Sequence, residues 1–195
     1  MTNGTSTLAS GSASPWSNGL NILALFGISG VLLFAFFWQV VYAELPCPLC
    51  LLQRAAFVMA GVGFLLNVRY GASSLHYAVV IASAAVGMIA ASRQVLLHIA
   101  PGDPGFGSPF LGMHFYTWAL VGYFALIVFS AFMLALDRRA IDNAKPLVVG
   151  TAALVAMWLF FVLVVANAAS TTLECGFGPC PDDPVEYQWL PHRGT

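Results

Sequence analysis

Five long apolar stretches, separated by short polar segments, make up most of this chain. They cover about residues 20–42, 48–68, 75–99, 116–136 and 147–169, and each is long enough to cross a hydrocarbon core, which needs about 20 helical residues. The breaks between them have physical causes. Arg69-Tyr70-Gly71 closes the second stretch. Two prolines and two glycines in Pro101-Gly102-Asp103-Pro104-Gly105 forbid continued helix after the third. The polar run from Asp137-Arg138-Arg139 to Lys145-Pro146 separates the fourth from the fifth. Residues 1–19, rich in Ser, Thr, Gly and Asn, have the composition of a disordered tail, and residues 170–195 form a polar, proline-rich one. The first stretch does not read as a signal peptide, because no Lys or Arg precedes it and it leaves through Glu44-Leu45-Pro46. With no internal repeat and no separate soluble domain, the expected fold is an all-α integral membrane protein. It is a single bundle of five transmembrane helices over residues 20–169, which satisfies backbone polar groups within lipid. Gly61, Gly63, Ala84, Gly87 and Ala91 mark close helix contacts within it.

Composition supports this picture and charge adds a direction to it. Of 195 residues, 59% are hydrophobic and 8% charged, too little charge for a soluble surface of this size, and the mean hydropathy is +0.84. Membrane lipid is the expected surrounding. Nucleic acid is not an expected partner, since the sequence has neither a basic patch nor a nucleic-acid motif. Five spans place the termini on opposite sides. Arg69, Arg138, Arg139 and Lys145 then fall in loops on one face. The other face carries Glu44, Asp103, Glu174, Asp182, Asp183 and Glu186, with Arg193 as its loop cation. The positive-inside rule therefore predicts a cytoplasmic N-terminus, an extracytoplasmic C-terminus and an outward position for the four cysteines. Outside the cytosol, disulfides form and persist.

Those cysteines form two close pairs, Cys47-Pro48-Leu49-Cys50 and Cys175-Gly176-Phe177-Gly178-Pro179-Cys180. Prolines flank Cys47, and proline is favoured at the first helical position, so Cys47 is expected at the amino end of the second span with Cys50 in its first turn. The helix dipole and free amides there stabilise a thiolate and lower the thiol pKa. The Cys-x-x-Cys spacing lets each sulfur serve as leaving group or resolving nucleophile for the other. Arg54, four residues beyond Cys50, lies on the same helical face and carries a permanent charge suited to an anion; a plain interfacial arginine snorkelling to headgroups is the alternative. A Cys-x-x-Cys is also half of many zinc sites. The second pair follows by over a hundred residues with a different gap, and an oxidising compartment bridges thiols, which favours redox chemistry over metal.

The run Leu45-Pro46-Cys47-Pro48-Leu49-Cys50-Leu51-Leu52-Gln53-Arg54 resembles the signature of the disulfide bond formation protein B (DsbB) family. The resemblance extends through the first four spans and includes Arg93-Gln94-Val95-Leu96-Leu97-His98 near the outer end of the third. It implies a bacterial inner-membrane enzyme that reoxidises a periplasmic thioredoxin-like (DsbA-like) protein and passes the electrons to a quinone, ubiquinone or menaquinone. It further implies that Cys50 is the quinone-proximal sulfur, that Cys47 is its exchange partner and that Arg54 steadies the quinone. Gln94 and His98, four apart on one face, and Arg93 are then candidates for contacts to a quinone; each is also compatible with a simple interfacial position.

The second pair departs from the family pattern. Members with four spans carry it between the third and fourth, whereas here the loop from Pro101 to Met113 has no cysteine and an extra span delivers Cys175 and Cys180 to the same face. Gly176, Gly178 and Pro179 permit a tight loop between them. Such a short loop gives a bridge little structural value, and an exposed one tends to be labile, which favours exchange over a structural clip. Tyr187 and Trp189 either rest the acidic tail on the membrane or dock a partner. The expected function is a quinone-dependent thiol oxidase with Cys47, Cys50, Cys175 and Cys180 as its redox residues and no metal. Two alternatives remain beside it. One is a disulfide reductase running in reverse, as vitamin K epoxide reductase-like proteins do; the other is a non-catalytic metal-binding or assembly protein using Cys47, Cys50, His98 and His114.

Overall fold

A computed structural model describes residues 15–136, 149–176 and 178–189. Five helices account for most of them: α1 (Pro15–Val41), α2 (Pro48–Tyr70), α3 (Ser74–Leu97), α4 (Phe115–Leu136) and α5 (Thr151–Cys175). All five are long and apolar enough to cross a membrane, and no strand occurs among the described residues. The expected five-span helical bundle is therefore the fold. Large apolar side chains such as Leu23, Ile89, Phe124, Trp158 and Phe161 are exposed, as suits a surface facing lipid tails.

Two boundaries depart furthest from the hydropathy pattern. Helix α1 starts at Pro15, so residues 15–19 are helical and not part of an unfolded tail; residues 1–14 lie outside the described region. The polar residues that masked this start are accommodated. Ser17 and Asn21 are buried, and the Asn21 amide donates to the Ser17 carbonyl (2.9 Å) and to the Tyr77 hydroxyl (2.8 Å). Helix α5 runs six residues past the expected 169, through Ser170, Thr171 and Thr172 to Cys175. The hydroxyl of Thr172 bonds back to the Ala168 carbonyl (2.9 Å), which lets a polar turn remain helical. The cations at 138, 139 and 145 and Arg193 lie outside the described residues.

Helix α2 packs against α1 and α3, α3 packs also against α4, and α5 lies on α1 with a smaller contact to α2. Helix α2 is thus central. At the end remote from the cysteines, α1, α2 and α3 are joined by buried polar groups. Asn67 donates to Asn21 Oδ1 (3.0 Å), Tyr77 donates to the same oxygen (3.2 Å), and Asn67 Oδ1 accepts from the Ser73 amide (3.1 Å) and contacts His76 Nδ1 (3.1 Å). The small residues mark close approaches. A Cβ at Gly61 would stand 2.3 Å from the Phe160 ring, and one at Gly87 2.3 Å from the ring of Tyr123. Tyr123 cannot retreat easily, because it is fully buried, stacks on Phe57 (4.2 Å between centroids) and donates to the Gln53 carbonyl.

Gly87→Ala should therefore destabilise the bundle by about 1–3 kcal/mol, the cost of forcing a side chain into a filled contact. Gly19→Ala, where the added methyl meets nothing within 4 Å, should be neutral or slightly stabilising. Unfolding in detergent, followed by helical circular dichroism, compares the two; equal midpoints would refute the close-contact role of Gly87.

Candidate functional site

Cys47 is the N-cap of α2, with extended backbone (φ −65°, ψ 163°), and Pro48 opens the helix. Its sulfur accepts the Cys50 amide at 3.2 Å, one of the donors that a helix start leaves free. Cys47 is buried, Cys50 is half-buried, and the two are not bridged. The two sulfurs share their surroundings. Gln94 of α3, buried, donates from Nε2 to Cys47 Sγ (3.3 Å) and to Cys50 Sγ (3.6 Å), while its Oε1 accepts from Gln53 Nε2 (2.8 Å). Gln53 thus fixes the orientation in which Gln94 presents its amide to sulfur.

The expectation of lowered thiol pKa at this helix start does not hold for Cys47. Its thiol is pushed above the ordinary range, first by the hydrogen bond with the Cys50 side chain and then by burial. The Cys50 amide and Gln94 act in the opposite direction without prevailing. In a tight pair a negative charge resides on one sulfur while the other holds the proton, and Cys47 is the holder.

On the other side of Cys50 lies a cavity of about 590 Å³. Its walls are apolar and aromatic, from Gly27 to Trp38 of α1, Phe115 to Ala125 of α4, and Phe106 and Phe110 of the connecting loop. A few polar groups converge at one end: Gln39, Glu44, Cys50, Gln53 and Arg54. Phe34, Trp38, Phe110 and Phe115 form a ring cluster in its lining, edge-on or tilted except for the stacked Phe110 and Phe115, with Phe34 and Phe110 at 5.0 Å. A mostly apolar pocket with few, grouped polar atoms is the ordinary form of a small-molecule site.

Arg54 does not snorkel. Its Nη1 donates to Gln39 Oε1 (2.6 Å) and its Nη2 to the Ala35 carbonyl (3.1 Å). Gln39, buried, spends its own amide hydrogens on Ser170 Oγ (2.9 Å) and Tyr187 Oη (3.0 Å). Helix α5 and the tail are thereby joined through α1 to the arginine. Glu44, before α2, accepts from the Ser108 hydroxyl and amide (3.2 Å for the amide) and from Trp38 Nε1 (3.3 Å), tying the α3–α4 loop over the cavity. Burial works to raise the Glu44 pKa, but the Ser108 and Trp38 donors together outweigh it and hold the carboxyl below the ordinary range.

The remaining candidates divide. Gln94 sits at the sulfurs and does not line the cavity, so its place is with the thiols. Arg93 is exposed in a shallow groove with Met88, Ile89 and Leu96 on the outer surface of α3, away from Cys50. His98 caps α3, contacts Asp103 (3.1 Å) and stacks on Tyr116. His114 stacks on Tyr116 as well and meets the Gly107 carbonyl (3.2 Å). The quartet Cys47, Cys50, His98 and His114 is not brought together, and among the described residues no three His, Cys, Asp or Glu side chains gather as metal ligands.

Cys175 and Cys180 are bridged. Cys175 is the last residue of α5 and is buried, while Cys180 is half-buried, so the bridge is less exposed than the short loop suggested. The cause is the tail, which folds back. Trp189 donates its amide to the Leu173 carbonyl (3.1 Å), and Gln188 to that of Glu174 (3.4 Å). Gly176 makes the turn with φ +62°, and a Cβ there would strike the Trp189 indole at 2.7 Å, so glycine is required twice over. Tyr187 and Trp189 thus fasten the tail to the bundle. Sequence reasoning had passed over Gln39, Gln53, Ser170 and Glu174; polar side chains within apolar spans are the signal that marks them.

Residues 17–106 match the family model described as disulfide bond formation protein DsbB. Disulfide bond formation protein B of Xanthomonas axonopodis pv. citri is 37% identical over 87 residues, 42% of this chain and 51% of that protein. Its counterpart in Hahella chejuensis is 35% identical over 85 residues, 42% and 52%, and that of Marinobacter nauticus 35% over 94 residues, 46% and 54%. The chain spans about half the length of the curated relatives it matches. No solved structure matches it significantly.

Two outcomes are expected from this geometry. Gln94→Ala removes a donor to both sulfurs, and loss of a hydrogen bond to a charged group should slow alkylation of the reduced pair at neutral pH about tenfold; an unchanged rate would show that Gln94 does not support the thiolate. Glu44 has a depressed pKa, so its hold on the loop is complete above the ordinary glutamate value of 4.5 and is lost as pH falls through the lower folded value. Acid titration of tryptophan fluorescence should show a transition below pH 4.5 that Glu44→Gln lacks.

Proposed function

From a chain that belongs, through its residues 17–106, to the disulfide bond formation protein B family, we propose a membrane thiol:quinone oxidoreductase that supports disulfide bond formation. The observation that carries this reading is the meeting of Cys50 and Arg54 at the polar end of one aromatic cavity of about 590 Å³. The lining fits a quinone: flat apolar walls for the ring and tail, and Gln39, Glu44 and Arg54 near the position of a carbonyl oxygen. A quinone bound there would accept two electrons and two protons.

Each protein group then has a task. Cys50 opens onto the cavity and supplies electrons, and Cys47 closes the disulfide onto it. Arg54, fixed by Gln39 and Ala35, offers a permanent positive charge where negative charge develops. Gln94 supports negative charge on the sulfurs. The partner is a reduced thioredoxin-like dithiol protein of the DsbA type. Its thiolate attacks the more accessible sulfur of the second pair, Cys180, so that a bond forms between the partner and Cys180 and Cys175 leaves as a thiolate on the buried side. The partner's second thiol then releases its own disulfide, and the Cys175–Cys180 dithiol reduces Cys47–Cys50 by the same exchange. The charge distribution supports a bacterial inner-membrane location with both pairs on the periplasmic side and the N-terminus in the cytoplasm.

The purified protein, given a reduced thioredoxin-like substrate and a soluble quinone, should produce quinol. Cys50→Ser should lower the rate to background. Cys175→Ser should stop oxidation of the protein substrate while leaving quinol formation driven by dithiothreitol. No turnover by the wild type, or full turnover by Cys50→Ser, would overturn the oxidase reading; equal activity of Cys175→Ser with both reductants would make the tail bridge a structural clip.

A further inference from the structure

Glu174 is the only acidic residue in the five helices. It is 0% exposed, and neither of its carboxyl oxygens accepts a hydrogen bond from any described residue. It precedes Cys175 in the chain, and its carbonyl is fixed by the Gln188 amide. Ser170, four residues earlier on α5, bonds to the Gln39 that holds Arg54, which puts Glu174 on the helix face toward the Arg54 and Cys47 end of the bundle, within range of their charge. Cys50 of α2 and Tyr187 of the tail also act on Arg54, and α1 brings the uncharged Gln39.

A carboxylate withdrawn from water without a donor is costly. The Arg54 guanidinium offsets part of that cost, and a thiolate at the neighbouring pair adds to it by repulsion. The charge that Glu174 can bear therefore depends on whether the pair is a dithiol or a disulfide. We propose that Glu174 is a redox-linked proton store for the Cys47–Cys50 centre, protonated while the pair is reduced and deprotonated when it closes. This role rests on the oxidase reading above. The balance is complete. With Cys50 as thiolate, Cys47 as thiol and Glu174 as acid, forming the S–S bond releases two electrons, one proton from Cys47 and one from Glu174. These equal the two electrons and two protons that convert a quinone to its quinol. Glu174 makes no hydrogen bond to either sulfur, so it acts through their shared field, as a positioning residue for charge.

Infrared difference spectroscopy of the purified full chain, reduced with dithiothreitol and without quinone, tests this directly. A carbonyl band of a protonated carboxyl should appear on reduction, vanish in Glu174→Gln and persist, shifted, in Glu174→Asp. It should survive the double substitution Cys175→Ser/Cys180→Ser and be lost in Cys47→Ser/Cys50→Ser. With quinone present, Glu174→Gln should lower kcat on the order of tenfold with the quinone KM unchanged. A wild-type spectrum without the band, a band that survives Glu174→Gln, or one that follows the Cys175–Cys180 pair would overturn the proposal. A wild type that shows the band but never forms quinol would instead overturn the oxidase reading.

Discussion

A guanidinium inside a membrane span must have its donors satisfied and its charge offset, and this end of the bundle is arranged around how that is done for Arg54. Arginine can only donate, so Gln39 must turn its carbonyl oxygen toward it. That choice leaves the two amide hydrogens of Gln39 pointing the other way, where Ser170 and Tyr187 take them. One amide thus orients the arginine and anchors both α5 and the tail. Removing any member leaves a buried polar group unpaired, which costs more than the bond itself contributes. Helix α5, which lies outside the family-matched region, is consequently not an appendage to the site but part of the support of its central cation.

The two sulfurs share Gln94 and differ in what else they meet. The Cys50 amide addresses Cys47 from the helix start, while Cys50 borders the cavity. This separates the groups that stabilise negative charge on sulfur from those that would meet a ligand. It also explains why a buried Cys47 holds its proton while its partner is the one at the cavity wall.

Much of this was legible in the residues. Length and apolarity alone predict five spans, because lipid leaves few other structures open to the backbone, and the prolines around Cys47 predict its place at a helix start. Arg54 follows from a fixed spacing along one helix. What stayed hidden depends on packing between helices. Gln39 and Ser170 are 131 positions apart in sequence, and Gln94 faces sulfur and not the cavity because of how α3 lies against α2. Spans that are apolar on every side give no periodicity from which such facing could be read. The expected helix ends differ where polarity and helicity part company, at Pro15 to Gly19 and again at Ser170 to Cys175, since side chains there bond to backbone or to each other within the bundle.

The Asn21, Asn67 and Tyr77 cluster has a mechanical meaning as well. It clamps α1, α2 and α3 at the end away from the cysteines, while α1 and α4 both line the cavity at the other. Lipid tails offer no competing hydrogen bonds, so a buried polar cluster of this kind fixes which three helices are neighbours.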